Sequence, residues 1–132
     1  MISTYINYTQ SLLSDKFPDV TGLKSTLLQQ RIRVDSNKPF VQILHVHNDQ
    51  WITISNLCCE AGVVCVYDSI YDNISSEVRQ LIDNICGSGI SVVMYDKMPK
   101  QIGTTDCGIY AIATATALLH GVNPTNYKQS SL

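Results

Sequence analysis

Charge is scarce in this chain: 15% of its residues are Asp, Glu, Lys or Arg, and the net charge is −2. A chain with no basic surplus is poorly suited to neutralising a phosphate backbone or to holding an anionic membrane surface, so neither nucleic acid nor membrane is an expected partner. No run approaches the ~18 apolar residues of a spanning helix, and the amino terminus lacks the basic region and apolar core of a secretory signal. No C-x-x-C pair occurs among the five cysteines at 58, 59, 65, 86 and 107. An odd, irregular set of cysteines without an export signal points to reduced thiols and to an intracellular protein, cytoplasmic or nuclear. His45-x-His47 and the vicinal Cys58-Cys59 are the pairs that suggest a metal, but the hairpin expected below sets them near opposite ends of its strands. No metal and no cofactor are expected on that spacing.

What is present suits one domain. The 132 residues, 45% of them hydrophobic, are enough for a single core and too few for two, so residues 1–132 are read as one domain or as a piece excised from a longer protein. Ile2, Tyr5, Ile6, Thr9, Leu12, Leu13 and Phe17 fall at helical spacing behind a cap at Ser3 and stop at Phe17-Pro18. Asp19 to Asp35 shows no clean period and is read as irregular, with a short helix around Ser25 to Gln29. Phe40–Val46 and Trp51–Leu57 are rich in β-formers and flank the turn residues His47-Asn48-Asp49, which predicts a β-hairpin. Val63–Tyr67 is a continuous apolar run, as in a central strand buried on both faces, and it ends abruptly at Asp68-Ser69. Ile74, Val78, Leu81, Ile82 and Ile85 mark a second amphipathic helix ending at Gly87, and Ile90–Met94 a further strand. The expected fold class is α+β, a central mixed sheet flanked by helices.

The segment from Gln101 to Tyr110, Q-I-G-T-T-D-C-G-I-Y, delivers a cysteine to the start of the last helix. Asp106 is a good N-cap, Gly121 a good C′ residue and Pro124 a block to continuation. Cys107 then lies in the first turn, where unpaired N–H groups and the positive end of the macrodipole favour the thiolate, the nucleophilic form. Its plainer reading is a small buried hydrophobe. Thiol hydrolysis needs a thiolate, a base, a group that orients the base, and donors for an oxyanion. Asp68, just after an apolar strand, can orient an imidazole, and Gln101, six residues before Cys107, can aim an amide N–H at the same spot. Their plainer readings are a turn residue and a solvated loop amide.

Taken together, W-I-T-I-S, V-Y-D-S and Q-I-G-T-T-D-C-G-I-Y-A, in that order, resemble the ubiquitin-like-protein protease family, the clan of cysteine peptidases that includes the SUMO proteases and the adenovirus protease. The likeness runs from about Val41 to Gly121, and the amino-terminal third resembles divergent members found beside transposon-derived genes. In that family a His-Trp pair opens one strand, an Asp follows the next, and a Gln and an Asp-Cys-Gly complete the site. The resemblance therefore implies the family's cysteine-protease fold, with Cys107 as nucleophile, Asp68 as orienting group and Gln101 as oxyanion donor. It also implies that Trp51 and Gly108 border the substrate, the tryptophan roofing a tunnel for a Gly-Gly tail. The implied substrate is a ubiquitin-like modifier, SUMO or ubiquitin or similar, or its conjugates.

One departure is large: Gln50 stands where the family's histidine is expected. An amide can hydrogen-bond Asp68 and Cys107, but it has no titratable lone pair near neutral pH and cannot relay a proton. His47 could substitute only through a shifted hairpin register, which would also reverse the faces of the strands. His120 is thirteen positions after Cys107, about 20 Å of helix away. The sequence thus supports a thiol (iso)peptidase-like domain impaired at its base, with a catalytically inactive pseudoprotease that binds modifiers as the alternative.

Overall fold

In a computed structural model, which describes residues 2–97, 107–122 and 124, a five-stranded sheet separates two helical layers. The strands lie in chain order: β1 (Thr21–Gly22), β2 (Phe40–Val46), β3 (Gln50–Ser55), β4 (Val63–Tyr67) and β5 (Ser91–Met94). β2, β3 and β4 are antiparallel neighbours, while β1 joins β2 and β5 joins β4 in parallel. The helices are α1 (Ile2–Lys16), α2 (Ser76–Cys86) and α3 (Cys107–Leu119), with a 3-10 helix at Thr26–Arg31 behind a Ser25 cap. The α+β class and the mixed central sheet are those expected. Among the described residues no helix is long and apolar enough to cross a membrane.

Side chains alternate across β2 and β3, and both faces are covered. Phe40, Leu44, Ile52 and Ile54 pack with Val64 and Val66 against Val78, Leu81, Ile82 and Ile85 of α2. Val41, Ile43, Trp51 and Tyr67 pack on the opposite face with Ala111, Ala115 and Leu118 of α3 and with Ile6 and Leu13 of α1. Two-sided burial explains why these strands read as near-continuous apolar runs. It also corrects the place of β4, which was expected to be buried on both faces. Val64 and Val66 are buried, but Val63 and Cys65 are only half-buried, because α3 lies across β3 and β2 instead.

Backbone chemistry sets the element ends. His47 and Asn48 take φ of 51° and 69° at the hairpin turn, the left-handed geometry that matches strand twist. After α3, Gly121 (φ 72°) donates to Leu118 O at 3.0 Å and Val122 to Ala117 O at 2.8 Å, the paired bonds of a Schellman motif. The N-cap assigned to Asp106 lies outside the described residues. Ser3 is not a cap, since α1 already includes Ile2. The buried stripe of α1 is Ile6, Gln10 and Leu13, while Tyr5 and Leu12 are exposed.

Gln10 is buried for a reason that concerns the sheet. β1 is two residues long, so beyond Val41 the edge of β2 lacks a strand partner. Glutamine side chains take its place. Gln10 Oε1 accepts from Ile43 N at 3.0 Å, Gln42 Nε2 donates to Ile43 O at 2.7 Å, and Gln29 accepts from His45 N at 2.9 Å while donating to His45 O at 2.8 Å. Buried backbone polar groups are thereby satisfied without a ladder.

Candidate active site

Three distant segments meet at one end of the sheet. β3 starts at Gln50 and β4 ends at Tyr67, and because the two run antiparallel, Gln50 and Asp68 arrive at the same end. Gln50 Nε2 donates to Asp68 Oδ1 at 2.6 Å, and each residue is 3% exposed. The same oxygen accepts from Ile70 N at 2.8 Å and Tyr71 N at 3.0 Å, an Asx-type turn that fixes the carboxylate's orientation. The Gln50 amide is thus held by one end only: its Oε1 is buried with no partner among the described residues.

Cys107 opens α3, in the turn where backbone N–H groups lack intrahelical partners. Its thiol lies 3.8 Å from the carbonyl oxygen of Asp49, the residue before Gln50, and it is 2% exposed. Thr53 Oγ1 of β3 donates to Ala111 O at 2.8 Å and locks the helix over the strand that carries Gln50. Gly108 is buried, and a Cβ there would stand 2.9 Å from Ile2 Cγ1, so the missing side chain lets α1 close on the start of α3. Trp51 is buried in the same apolar cluster as Cys107 and stacks on His45 with ring centroids 4.2 Å apart. Gln101, expected as oxyanion donor, lies outside the described residues.

His47 and His120 are engaged elsewhere. His47 sits beside Glu77 (Nδ1 to Oε1, 3.3 Å) and Ser75 (Nε2 to Oγ, 3.2 Å) at the start of α2, so both ring nitrogens are turned to that helix. His120 pairs with Thr116 O at 2.8 Å and meets Phe17 edge-on. A cleft of about 620 Å³ lies along β1 and the 3-10 helix, lined by Lys24, Arg31 and Leu28 among others, and none of Gln50, Asp68 and Cys107 borders it. The sequence reading missed the Asp49 carbonyl as the neighbour of the thiol, because a backbone acceptor carries no residue-type signal. No group of three or more His, Cys, Asp or Glu among the described residues is placed to hold a metal ion.

Residues 42–132 match the model of the Ulp1 protease family, C-terminal catalytic domain. The chain belongs to the Ulp1 protease family. Solved structures agree on the Ulp1 fold. The SUMO protease Ulp1 with its catalytic cysteine oxidised to a sulfenic acid matches with a TM-score of 0.66 at 14% identity, over 92% of this chain and 67% of that one. The C-terminal Ulp1 protease domain in complex with Smt3, the yeast ortholog of SUMO, matches with a TM-score of 0.63 at 12% identity, over 92% of this chain and 65% of that one. A de-sumoylating protease gives 0.60 at 13% identity, covering 97% of this chain and 63% of that one. This chain therefore spans about two thirds of the length of these Ulp1-type structures. No match to a curated protein was found by sequence.

Proposed function

We propose that this Ulp1-family domain receives the Gly-Gly tail of a ubiquitin-like modifier and acts as a cysteine (iso)peptidase whose turnover is severely reduced. In this reading Cys107 is the nucleophile, Asp68 the orienting carboxylate, Gln101 the oxyanion donor and Gln50 the occupant of the base position, with Trp51 and Gly108 beside the tail. The observation that carries it is the 2.6 Å hydrogen bond from Gln50 to Asp68, one residue along the chain from the carbonyl that faces the Cys107 thiol. The amide makes the bond to the carboxylate that an imidazole would make, yet it offers no nitrogen that can take a proton and return it to a leaving amine. General acid–base help worth roughly 10²–10⁴-fold in rate is lost with it. The solved complex of an Ulp1 domain with Smt3 supports the class of partner.

The second reading is a pseudoprotease that binds the modifier without cleaving it, favoured by the amide at position 50 together with the burial of Cys107. Incubation with a ubiquitin-like protein bearing a C-terminal propargyl group separates the two. A covalent adduct at Cys107, lost in Cys107→Ala, supports the peptidase. Micromolar binding without an adduct supports the pseudoprotease. Failure of SUMO and ubiquitin alike to bind or react overturns both.

A further inference from the structure

At the other end of β3, about 17 Å from Gln50 by strand rise, a second set of thiols gathers on the face of the sheet that carries α3. β3 ends at Ser55, which pairs with Cys65 of β4. The chain between them turns back through Cys58 (φ 58°) and Gly62 (φ 79°), and Val63 N donates to Glu60 O at 3.1 Å. That turn lays Cys59 against Cys65. Cys59 Sγ lies 3.8 Å from Ser55 O, 3.8 Å from the Tyr67 hydroxyl and 3.3 Å from Leu57 O, which sets it over the strand pair at Cys65, between Ser55 and Tyr67. Both are free and half-buried, within reach of small molecules. The neighbouring Cys65 thiol, helped by Tyr67, brings Cys59 down to about 7, whereas Cys59 and burial push Cys65 up. The pair therefore holds a thiolate beside a thiol near neutral pH, the arrangement of an attacking sulfur next to a resolving one.

We propose that Cys59 and Cys65 form a dithiol site that a hydroperoxide closes to an intrachain disulfide, separate from Cys107. The Cys59 thiolate attacks the peroxide: an S–O bond forms, the O–O bond breaks, and the departing hydroxide or alkoxide leaves as water or alcohol, with Cys59 left as a sulfenic acid. The Cys65 sulfur then attacks the Cys59 sulfur. The S–S bond forms, the S–O bond breaks, and the leaving hydroxide takes the Cys65 proton as water. Two thiols lose two electrons in all, and the peroxide gains them.

The test uses the full chain, treated with a small excess of hydrogen peroxide, alkylated under denaturing conditions and cleaved after Glu60 without reduction. The fragment ending at Glu60 and the one beginning at Ala61 are expected to stay linked, two hydrogens lighter than their sum, and to separate on phosphine treatment. Fragment ions of the wild-type pair assign the link to Cys59 in preference to Cys58, whatever the folding of the variants. Cys58→Ser is expected to keep the link, and Cys59→Ser and Cys65→Ser to abolish it. A link that survives Cys59→Ser, or oxidation of Cys107 with Cys59 and Cys65 fully alkylated, overturns the proposal. Because Cys107→Ala leaves the expected link in place, the result does not depend on the peptidase reading.

Discussion

Replacing Gln50 with histidine is the most informative single change. Asp68 Oδ1 is already fixed by Ile70 N at 2.8 Å and Tyr71 N at 3.0 Å, and it receives Gln50 Nε2 at 2.6 Å. An imidazole at position 50 can donate one ring N–H to that carboxylate. Its second nitrogen then takes the place of the buried, unpartnered Gln50 Oε1, so a polar defect becomes a base beside the Asp49–Cys107 contact. Recovery of general acid–base catalysis is worth roughly 10²–10⁴-fold in rate, or about 3–5.5 kcal/mol of barrier. The assay is release of a fluorophore from the C-terminal Gly-Gly of SUMO or ubiquitin by wild type, Gln50→His and Gln50→His/Cys107→Ala. The single variant should gain at least about tenfold, with a pH profile that turns over near the imidazole range of about 6.5, and the double variant should lose the gain. A folded Gln50→His protein with unchanged turnover, or a gain that persists without the thiol, would refute the assignment of position 50.

The remaining expectations concern stability and thiol chemistry. Asp68→Ala strips the acceptor from Gln50 Nε2, Ile70 N and Tyr71 N and should cost about 2–4 kcal/mol in urea unfolding, while Asp68→Asn, which keeps an acceptor oxygen, should cost about half of that; equal costs would show that the turn bonds are not what the carboxylate supplies. Gly22 has φ of +84°, and a Cβ there would stand 2.2 Å from Val41 O, so Gly22→Ala should lose about 3 kcal/mol from backbone strain and clash together; a urea midpoint equal to wild type would contradict the pairing of β1 with β2. Cys86 is pushed up to about 11 by burial and by Asp83, which leaves a thiolate fraction of about 10⁻³ at pH 8. Its alkylation in the native protein should lag that of exposed Cys58 by about 100-fold or more and should speed up as pH rises toward that value, as followed by mass spectrometry.

Much of the scaffold was legible because local rules and tertiary packing agree in it. The β2–β3 hairpin, α2 ending before Gly87, and α3 with Gly121 beyond it are places where turn chemistry and apolar spacing point the same way. β1 was not legible, since two residues have no period and the strand exists only through pairing with Phe40 and Val41. Nothing in the sequence marks Gln10 for burial, because its burial depends on an unpaired strand edge, which only the assembled sheet reveals. The meeting of Gln50 with Asp68 was implied by the family resemblance, and antiparallel order brings it about, since the start of one strand neighbours the end of the next. The partner of Cys59 was not so implied. The sequence weighed the vicinal cysteines only with the histidines, as metal ligands that the hairpin keeps apart, whereas the turn through Gly62 brings Cys59 over Ser55 and Tyr67, beside Cys65.

The glutamine amides along β2 have a consequence for how the domain behaves in company. A strand whose N–H and C=O groups are already answered by Gln10, Gln29 and Gln42 offers no template to a foreign chain, so edge-to-edge aggregation is suppressed there without a gatekeeping lysine or proline. This protection is borrowed from other elements, since Gln10 rides on α1 and Gln29 on the 3-10 helix. Any fraying that lifts α1 away uncovers the Ile43 N–H at the same moment, so a local opening at the amino terminus doubles as the first step toward self-association.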